Sequence, residues 1–277
     1  MSFILAIEAL RFYKLKQERL VQVLFLICFA INALSLLFPL GDTNFNALNA
    51  WLDRQLQFAT NGQSHLISYP PALSSGNLIF LASQIVVLIL NLFFSYFYAA
   101  AYSAERDGLP AMKGISSMFR SMPKQLLLLL LLLIPAFFSM FFLLIPLVIG
   151  AMMLVFTPLL IAERKETIAD ALRASTILTK HRRFYLFFSF VLITMFTSLL
   201  ENIFTAISAS NSLALVLLVS LVSAISALIR GRLIGICYVF FAKHLRHLSL
   251  QQFINRNPQD AVKKLLGRED KDEDKNH

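Results

Sequence analysis

An apolar run in the middle of the sequence constrains the fold more than any other feature. It extends from Leu126 to Ala162, carries no charge, and has Ser139 and Thr157 as its only hydroxyl side chains. As one helix, its roughly 37 residues would be about 55 Å long. That length is nearly twice the ~30 Å hydrocarbon core of a bilayer, and tilting cannot absorb the difference. The run therefore predicts two membrane spans.

Basic residues on both sides of the run predict how it is threaded. Arg120 and Lys124 precede it, and Arg164 and Lys165 follow it. Short segments rich in Lys and Arg beside membrane spans stay in the cytoplasm. Because both flanks are then cytoplasmic, the number of crossings between them must be even, and we predict a helical hairpin.

Three prolines divide the hairpin. The best position for the turn is Pro146, because its ring cannot continue a helix and the residue before it favours extended geometry. Pro135 and Pro158 are interpreted as kinks within the two arms.

Further apolar runs of spanning length lie on either side of the hairpin. They extend from Leu20 to Leu40, from Asn77 to Ser103, from Phe184 to Ile207, and from Leu213 to Ala242. The chain is 57% hydrophobic with a mean hydropathy of +0.68, which is more apolar surface than a soluble domain needs. The sequence thus predicts an all-α polytopic membrane protein with six transmembrane helices.

The charge distribution predicts orientation and partners. The net charge is +9, and the basic residues flank the apolar runs. This pattern favours anionic lipid as the partner and argues against nucleic acid. It also predicts that both termini lie in the cytoplasm. We expect residues 1–250 to form the membrane domain and residues 251–277 to form a charged tail that is disordered at its end.

A weak internal repeat suggests how the spans are grouped. Glu8–Arg19, Gly114–Lys124 and Ala171–Arg183 each mix apolar and basic residues and each precede an odd-numbered span. The predicted unit is a cytoplasmic amphipathic helix followed by a two-span hairpin, three times over. The alternative is that any basic loop before a span has this composition.

The loop between the first two spans is long enough to hold structure of its own. Leu48, Trp51, Leu52 and Leu56 fall on one helical face. We expect a short amphipathic helix there, lying on the outer interface.

Signatures of catalysis are missing from the sequence. It contains no G-x-S-x-G, no H-E-x-x-H and no P-loop, and its spans lack paired acids. His244 and His247 would need a third partner to hold a metal, and histidines in a basic tail are more often solvated. We expect a protein that is not an enzyme and that uses no cofactor or metal.

A few polar residues in or beside the spans are the candidate site residues. Glu201 and Asn202 form a candidate intramembrane polar site. The candidate contacts for a lipid headgroup or another anion are Arg182, Arg183, Arg230 and Arg232. A charge at mid-membrane costs about 2.5–3.5 kcal/mol on insertion scales, so it usually marks function.

Arg230 and Arg232 admit two interpretations. In the first, both side chains extend to the inner headgroups, and lysine would replace them. In the second, an arginine faces the helix bundle and holds a phosphate or carboxylate with its planar fork, which lysine cannot copy. We assign the first to Arg232 and keep Arg230 as the functional candidate.

We expect Gly231 and Gly235 to mark a bend in the last helix. Because Glu201 and Arg230 differ in depth, we do not expect them to pair.

Three sequence features between about Gly108 and Phe241 carry a family resemblance: Pro123-Lys124, LLIPLVIG around Pro146, and VFTPLLIAERKETIADALRASTILTKHRRF. With them this part of the chain resembles the YciC-like family of bacterial inner-membrane proteins, which is related to the membrane domain of some glycerophosphodiester phosphodiesterases. The resemblance implies a multi-pass protein of the bacterial cytoplasmic membrane with a role in envelope or lipid homeostasis.

Three functions remain open from the sequence. The first is a non-enzymatic protein that organises or senses lipids in that membrane. The second is a transporter or flippase for a lipid or small amphiphile, and a polar cavity reaching the membrane centre would favour it. The third is an accessory subunit of a membrane complex, with its tail docking a soluble partner and other membrane proteins as further partners.

Reporter fusions test the threading. We expect fusions at Asn61 and Asn211 to report the outside, and fusions at Gly114, Asp170 and Asp260 to report the inside, because each Lys/Arg-rich segment then faces the cytoplasm. An outside signal at Asp170 would contradict the hairpin.

Overall fold

The computed structural model describes residues 2–60, 69–139, 145–164, 167–180, 182–208 and 212–242. Within these residues the secondary structure is helical. The helices are α1 (Ser2–Leu10), α2 (Glu18–Leu37), α3 (Asn46–Thr60), α4 (Ser75–Arg106), α5 (Ala111–Arg120), α6 (Met122–Ser139), α7 (Ile145–Leu154), α8 (Thr157–Arg164), α9 (Ile168–Thr179), α10 (Arg183–Ile207) and α11 (Ser212–Ala242). The charged tail, with His244 and His247, lies outside the described residues, as does His181.

Six helical segments in the described residues are long and apolar enough to cross a membrane. They are α2, α4, α6, α10, α11 and the segment Ile145–Glu163, which combines α7 with most of α8. The chain is therefore an all-helical, multi-pass membrane protein, as predicted. Short helices α1, α5 and α9 precede α2, α6 and α10. Their location in the cytoplasm and the three-hairpin threading remain predictions.

The central apolar run is divided into two spans, as predicted, but the position predicted for the turn was wrong. α6 ends at Ser139, and Pro146 lies in the first turn of α7. Proline suits this position because the first helical N–H groups have no partner within the helix. Pro158 is the second residue of α8 and follows the break at Val155–Phe156, which interrupts the second arm near the place expected. Pro135 lies inside α6, which is continuous through it, so the kink expected there stays a prediction.

Helix α3 confirms the helix expected in the loop after the first span. It begins at Asn46 and contains Leu48, Trp51, Leu52 and Leu56. Its place on the outer interface remains a prediction.

Burial is concentrated in one half of the molecule. The buried stretches include Phe93–Ala104 of α4, Val155–Ala162 around the start of α8, and Gly231–Ala242 of α11. α4 has 32 residues and α11 has 31, so they are roughly 48 and 46 Å long and extend beyond a ~30 Å hydrocarbon core. The carboxyl-terminal half of each of these two helices enters the shared core.

The close contact between α4 and α11 depends on two glycines. A Cβ at Gly231 would lie 2.4 Å from the Ser95 carbonyl oxygen, and one at Gly235 would lie 3.3 Å from the Ala99 Cα. Small residues four apart let two membrane helices pack at backbone distance. α11 is one continuous helix through both of them, and the bend expected at these glycines stays a prediction. Their role is contact with α4.

The structure corrects the expectation that the Arg232 side chain extends to the inner headgroups. Its side chain is 2% exposed and does not reach the headgroups. Its Nη2 lies 2.8 Å from Glu8 Oε1, and its Nε donates to the Glu8 carbonyl at 3.0 Å. Nη1 donates to the Lys14 carbonyl at 3.3 Å, and the guanidinium carbon lies 5.2 Å from the Tyr102 ring centre. Arg232 thereby connects α1 and the residues that follow it to the core.

Further hydrogen bonds hold the same segment. The backbone N–H groups of Lys16 and Gln17 donate to the Glu105 carboxylate at 3.0 and 3.2 Å. The Tyr98 hydroxyl donates to the Phe12 carbonyl. The connection between α1 and α2 is thus positioned by side chains of α4 and α11.

We predict that Arg232→Ala lowers the free energy of unfolding by about 2–3 kcal/mol, because it removes one of the two cationic partners of the buried Glu8 carboxylate. The other partner, Arg11, remains with its Nη1 3.3 Å from Glu8 Oε2. Arg232→Lys should recover only part of the loss, because an ammonium group cannot donate in all the directions used by the guanidinium. Thermal denaturation of detergent-purified protein measures both changes.

The matched control is Arg230→Ala, two residues away on the same helix, which should melt close to the wild type. Equal melting temperatures for Arg232→Ala and the wild type would contradict the role of the buried ion pair.

Candidate functional site: a polar groove between the spans

A polar groove of about 490 Å³ lies between the long helices. α11 packs against both α4 and α10, and these three helices supply nearly all of the lining. The polar lining residues are Asn32, Gln84, Asn91, Ser95, Thr197, Glu201, Ser223, Ser226 and Arg230. Such a set is unusual on helices whose composition is suited to hydrocarbon, so the groove is the strongest candidate site.

Each wall of the groove carries its polar residues at helical spacing. On α4 they are Gln84, Asn91 and Ser95, and on α11 they are Ser223, Ser226 and Arg230. Intervals of three, four, seven and eleven residues return to the same helical face. These stripes could have been found in the sequence, but our sequence reasoning considered only the charged residues and Asn202.

Part of the polar lining is satisfied within the protein. Asn32 and Asn91 exchange two side-chain hydrogen bonds of 2.9 and 3.0 Å. Asn32 also donates to the Cys28 carbonyl at 2.8 Å. Ser95 donates to the Ala227 carbonyl at 2.8 Å. The Asn32–Asn91 bonds connect α2 with α4, and the Ser95 bond connects α4 with α11.

Other groups in the groove have capacity left for a ligand. Gln84 Nε2 is buried and has no hydrogen-bond partner among the described residues. Arg230 Nη2 donates to Ser226 Oγ at 2.8 Å, which uses one of its five N–H donors. Within the described part of the chain, no ion pair joins Arg230 or Glu201 to a residue of opposite charge. The groove therefore offers donors that water or a polar ligand would satisfy.

The two charged residues lie at opposite ends of the groove. Glu201 is six residues before the end of α10, roughly 9 Å along the helix. Arg230 is 18 residues after the start of α11, roughly 27 Å along it. They do not pair, as expected, yet they line the same cavity, which sequence reasoning did not predict.

The groove opens on the side of the helix bundle. Leu88 and Leu92 line it and are 68% and 42% exposed. Arg230 and Glu201 are also exposed. In a bilayer, the opening beside these leucines would face lipid, so an amphiphile can place its polar part in the groove and its chains outside.

The other candidate residues lie elsewhere. Asn202 is exposed and is not among the lining residues of the groove. Arg182 lies with its guanidinium carbon 4.6 Å from the Phe241 ring centre. Arg183 borders a separate cavity near the start of α10. Arg232 is buried against α1. Of the six candidates, the structure brings only Glu201 and Arg230 into one cavity.

Comparison of the chain with models of protein families, with curated proteins and with solved structures finds no match. The groove therefore has to be interpreted from its own chemistry.

We predict that the groove is accessible to water. Ser223→Cys, inside the groove, should react roughly tenfold faster or more with a charged thiol reagent than Met195→Cys, because only a hydrated thiol ionises to the reactive thiolate. Met195 is 65% exposed on the outer face of α10 at a similar distance from the end of its helix.

Cys28 and Cys237 are both fully buried and give little background in this experiment. Equal modification rates at positions 223 and 195 in a bilayer would contradict a hydrated groove.

Proposed function

We propose that this protein is a non-enzymatic lipid-handling protein of the bacterial cytoplasmic membrane. It binds the anionic headgroup of a phospholipid-like amphiphile in the polar groove and lets the headgroup move along it, while the acyl chains stay in the bilayer. The observation that supports this proposal is a groove that combines Arg230, without an acidic partner among the described residues, with polar stripes from three spans.

The barrier that such a groove would lower is the burial of a charged headgroup in hydrocarbon. An ion moved into an apolar medium without partners costs many kcal/mol. The polar lining of α4 extends from Gln84 to Ser95, roughly 16 Å along the helix. That distance covers more than half of a ~30 Å hydrocarbon core. Serine and amide groups along it replace the water that the headgroup loses.

The charges at the ends of the groove give the headgroup a preferred position. The Arg230 guanidinium attracts a phosphate and can donate two parallel hydrogen bonds to it. The Glu201 carboxylate repels a phosphate at the other end of the groove. An anionic headgroup is thus bound most tightly beside Arg230 and more weakly towards Glu201, which favours release there.

Movement along the groove would be passive. The sequence has no P-loop, and Glu201 is the only acid that lines the groove among the described residues. Of the functions left open by the sequence, the groove favours the transporter or flippase over a protein that only organises lipids, because organising lipids needs no cavity. Lipid movement is compatible with the envelope and lipid homeostasis that the YciC-like resemblance implies.

Purified protein in vesicles with a fluorescent phosphatidylglycerol tests the proposal. In vesicles without protein, a membrane-impermeant reductant removes only the fluorescence of the outer leaflet. With the wild-type protein, inner-leaflet lipid should also be reduced as it crosses. Arg230→Ala should slow the crossing about tenfold or more, because it removes a charge-assisted hydrogen bond to the phosphate.

Arg230→Lys separates the two interpretations of this residue. It should retain part of the activity, since it keeps the charge but loses the planar fork. The matched control is Arg120→Ala, which removes an exposed arginine from α5, away from the groove. Fluorescence loss equal to that of protein-free vesicles would overturn the proposed movement of lipid.

A further inference from the structure

A second cavity, near the start of α10, has a different character. It has a volume of about 560 Å³ and lies between α7 and the start of α10. The described residues of its lining are apolar except for Arg183, and they include Val148 and Met152 of α7 and Phe184 and Phe187 of α10. It shares no lining residue with the polar groove.

Helix α7 leaves this cavity open to the surroundings of the protein. No residue of α7 is buried. Val148 is 40% exposed, and Phe184 across the cavity is 74% exposed. Because an empty apolar space forfeits the dispersion contacts of its lining atoms, a gap of this size between two spans is unfavourable unless hydrocarbon fills it.

Among the described residues, Arg183 supplies the only charge in the lining. It is the first residue of α10, and its Nε is buried without a hydrogen-bond partner among the described residues. A buried N–H donor without a partner is costly and usually points to a missing acceptor. The first N–H groups of a helix also favour an anion. An acceptor with negative charge would satisfy both the side chain and the helix end.

The shape of the cavity indicates what the rest of the ligand is. The α7 residues of the lining run from Ile145 to Met152, roughly 10 Å along the helix. The lining thus combines a long apolar cleft with one cationic group, which matches a molecule with a hydrocarbon chain and one anionic end. In a membrane, that molecule is an anionic phospholipid.

We propose that the cleft between α7 and α10 is a binding site for an anionic phospholipid, which places one acyl chain along Val148 and Phe187 and its phosphate on Arg183. This lipid stays bound and fills the gap between α7 and α10, which distinguishes it from the lipid that moves through the polar groove. The site does not depend on the proposed function, because it uses different residues and requires no movement.

Native mass spectrometry of the detergent-purified protein tests this site. Phosphatidylglycerol and phosphatidylcholine with the same chains are added separately to a protein that carries Arg230→Ala, so that the groove does not contribute. We expect phosphatidylglycerol to bind at least tenfold more tightly, because only its headgroup has a net negative charge.

Two variants remove the two parts of the site independently. Arg183→Ala should weaken phosphatidylglycerol binding about tenfold by removing the partner of the phosphate. Val148→Trp should weaken it similarly by filling the cleft while Arg183 remains. The matched controls are Arg120→Ala, which removes an exposed arginine, and Leu130→Trp, which adds the same bulk at a residue that is 68% exposed on α6.

Two results would overturn the lipid site. Binding that survives Val148→Trp and is competed by inorganic phosphate would indicate a simple anion site. Equal binding of the two lipids would show that the negative charge of the headgroup is not recognised. If Arg183→Ala fails to fold, comparing phosphatidylglycerol binding by Val148→Trp with that by Leu130→Trp still tests the site. Loss of this site leaves lipid crossing through the groove untouched, so the two proposals can fail separately.

Discussion

The contact between α4 and α11 is the interaction on which the rest of the structure depends. Gly231 and Gly235 bring α11 against the α4 backbone near Ser95 and Ala99. Any side chain at Gly231 would meet the Ser95 carbonyl oxygen at 2.4 Å and push the helices apart. In a bilayer, helices gain little from the hydrophobic effect, so close van der Waals packing of this kind supplies much of their association.

The groove begins where this close contact ends. Ser95 lies at the boundary, since it is packed against Gly231 and also lines the groove. Beyond it, α4 presents Asn91 and Gln84, and α11 presents Ser226 and Ser223. These polar side chains satisfy one another only in part, since Gln84 Nε2 is buried without a hydrogen-bond partner among the described residues. The same pair of helices therefore forms a tight core in one half and one side of a cavity in the other.

The sequence predicted the spans well because a span is a local property. The predicted starts at Phe184 and Leu213 are each one residue from the observed starts of α10 and α11. The turn at Pro146 was predicted wrongly because proline fits a helix start as well as a break, and no local signal distinguishes them here. The polar stripe of Gln84, Asn91 and Ser95 was visible in the sequence, and a search for helical spacing of polar residues would have found it.

Arg230 and Arg232 show why the rest could not be predicted. Two residues along a helix correspond to a rotation of roughly 200°, so the two arginines point to nearly opposite faces of α11. Depth alone assigned Arg232 to the headgroups, whereas its partner Glu8 lies 224 positions away along the chain. Hydropathy cannot reveal that α1 folds back on this face. A residue's depth limits what its charge costs, but only the helix packed against that face determines whether the charge is neutralised within the protein or remains available to a ligand.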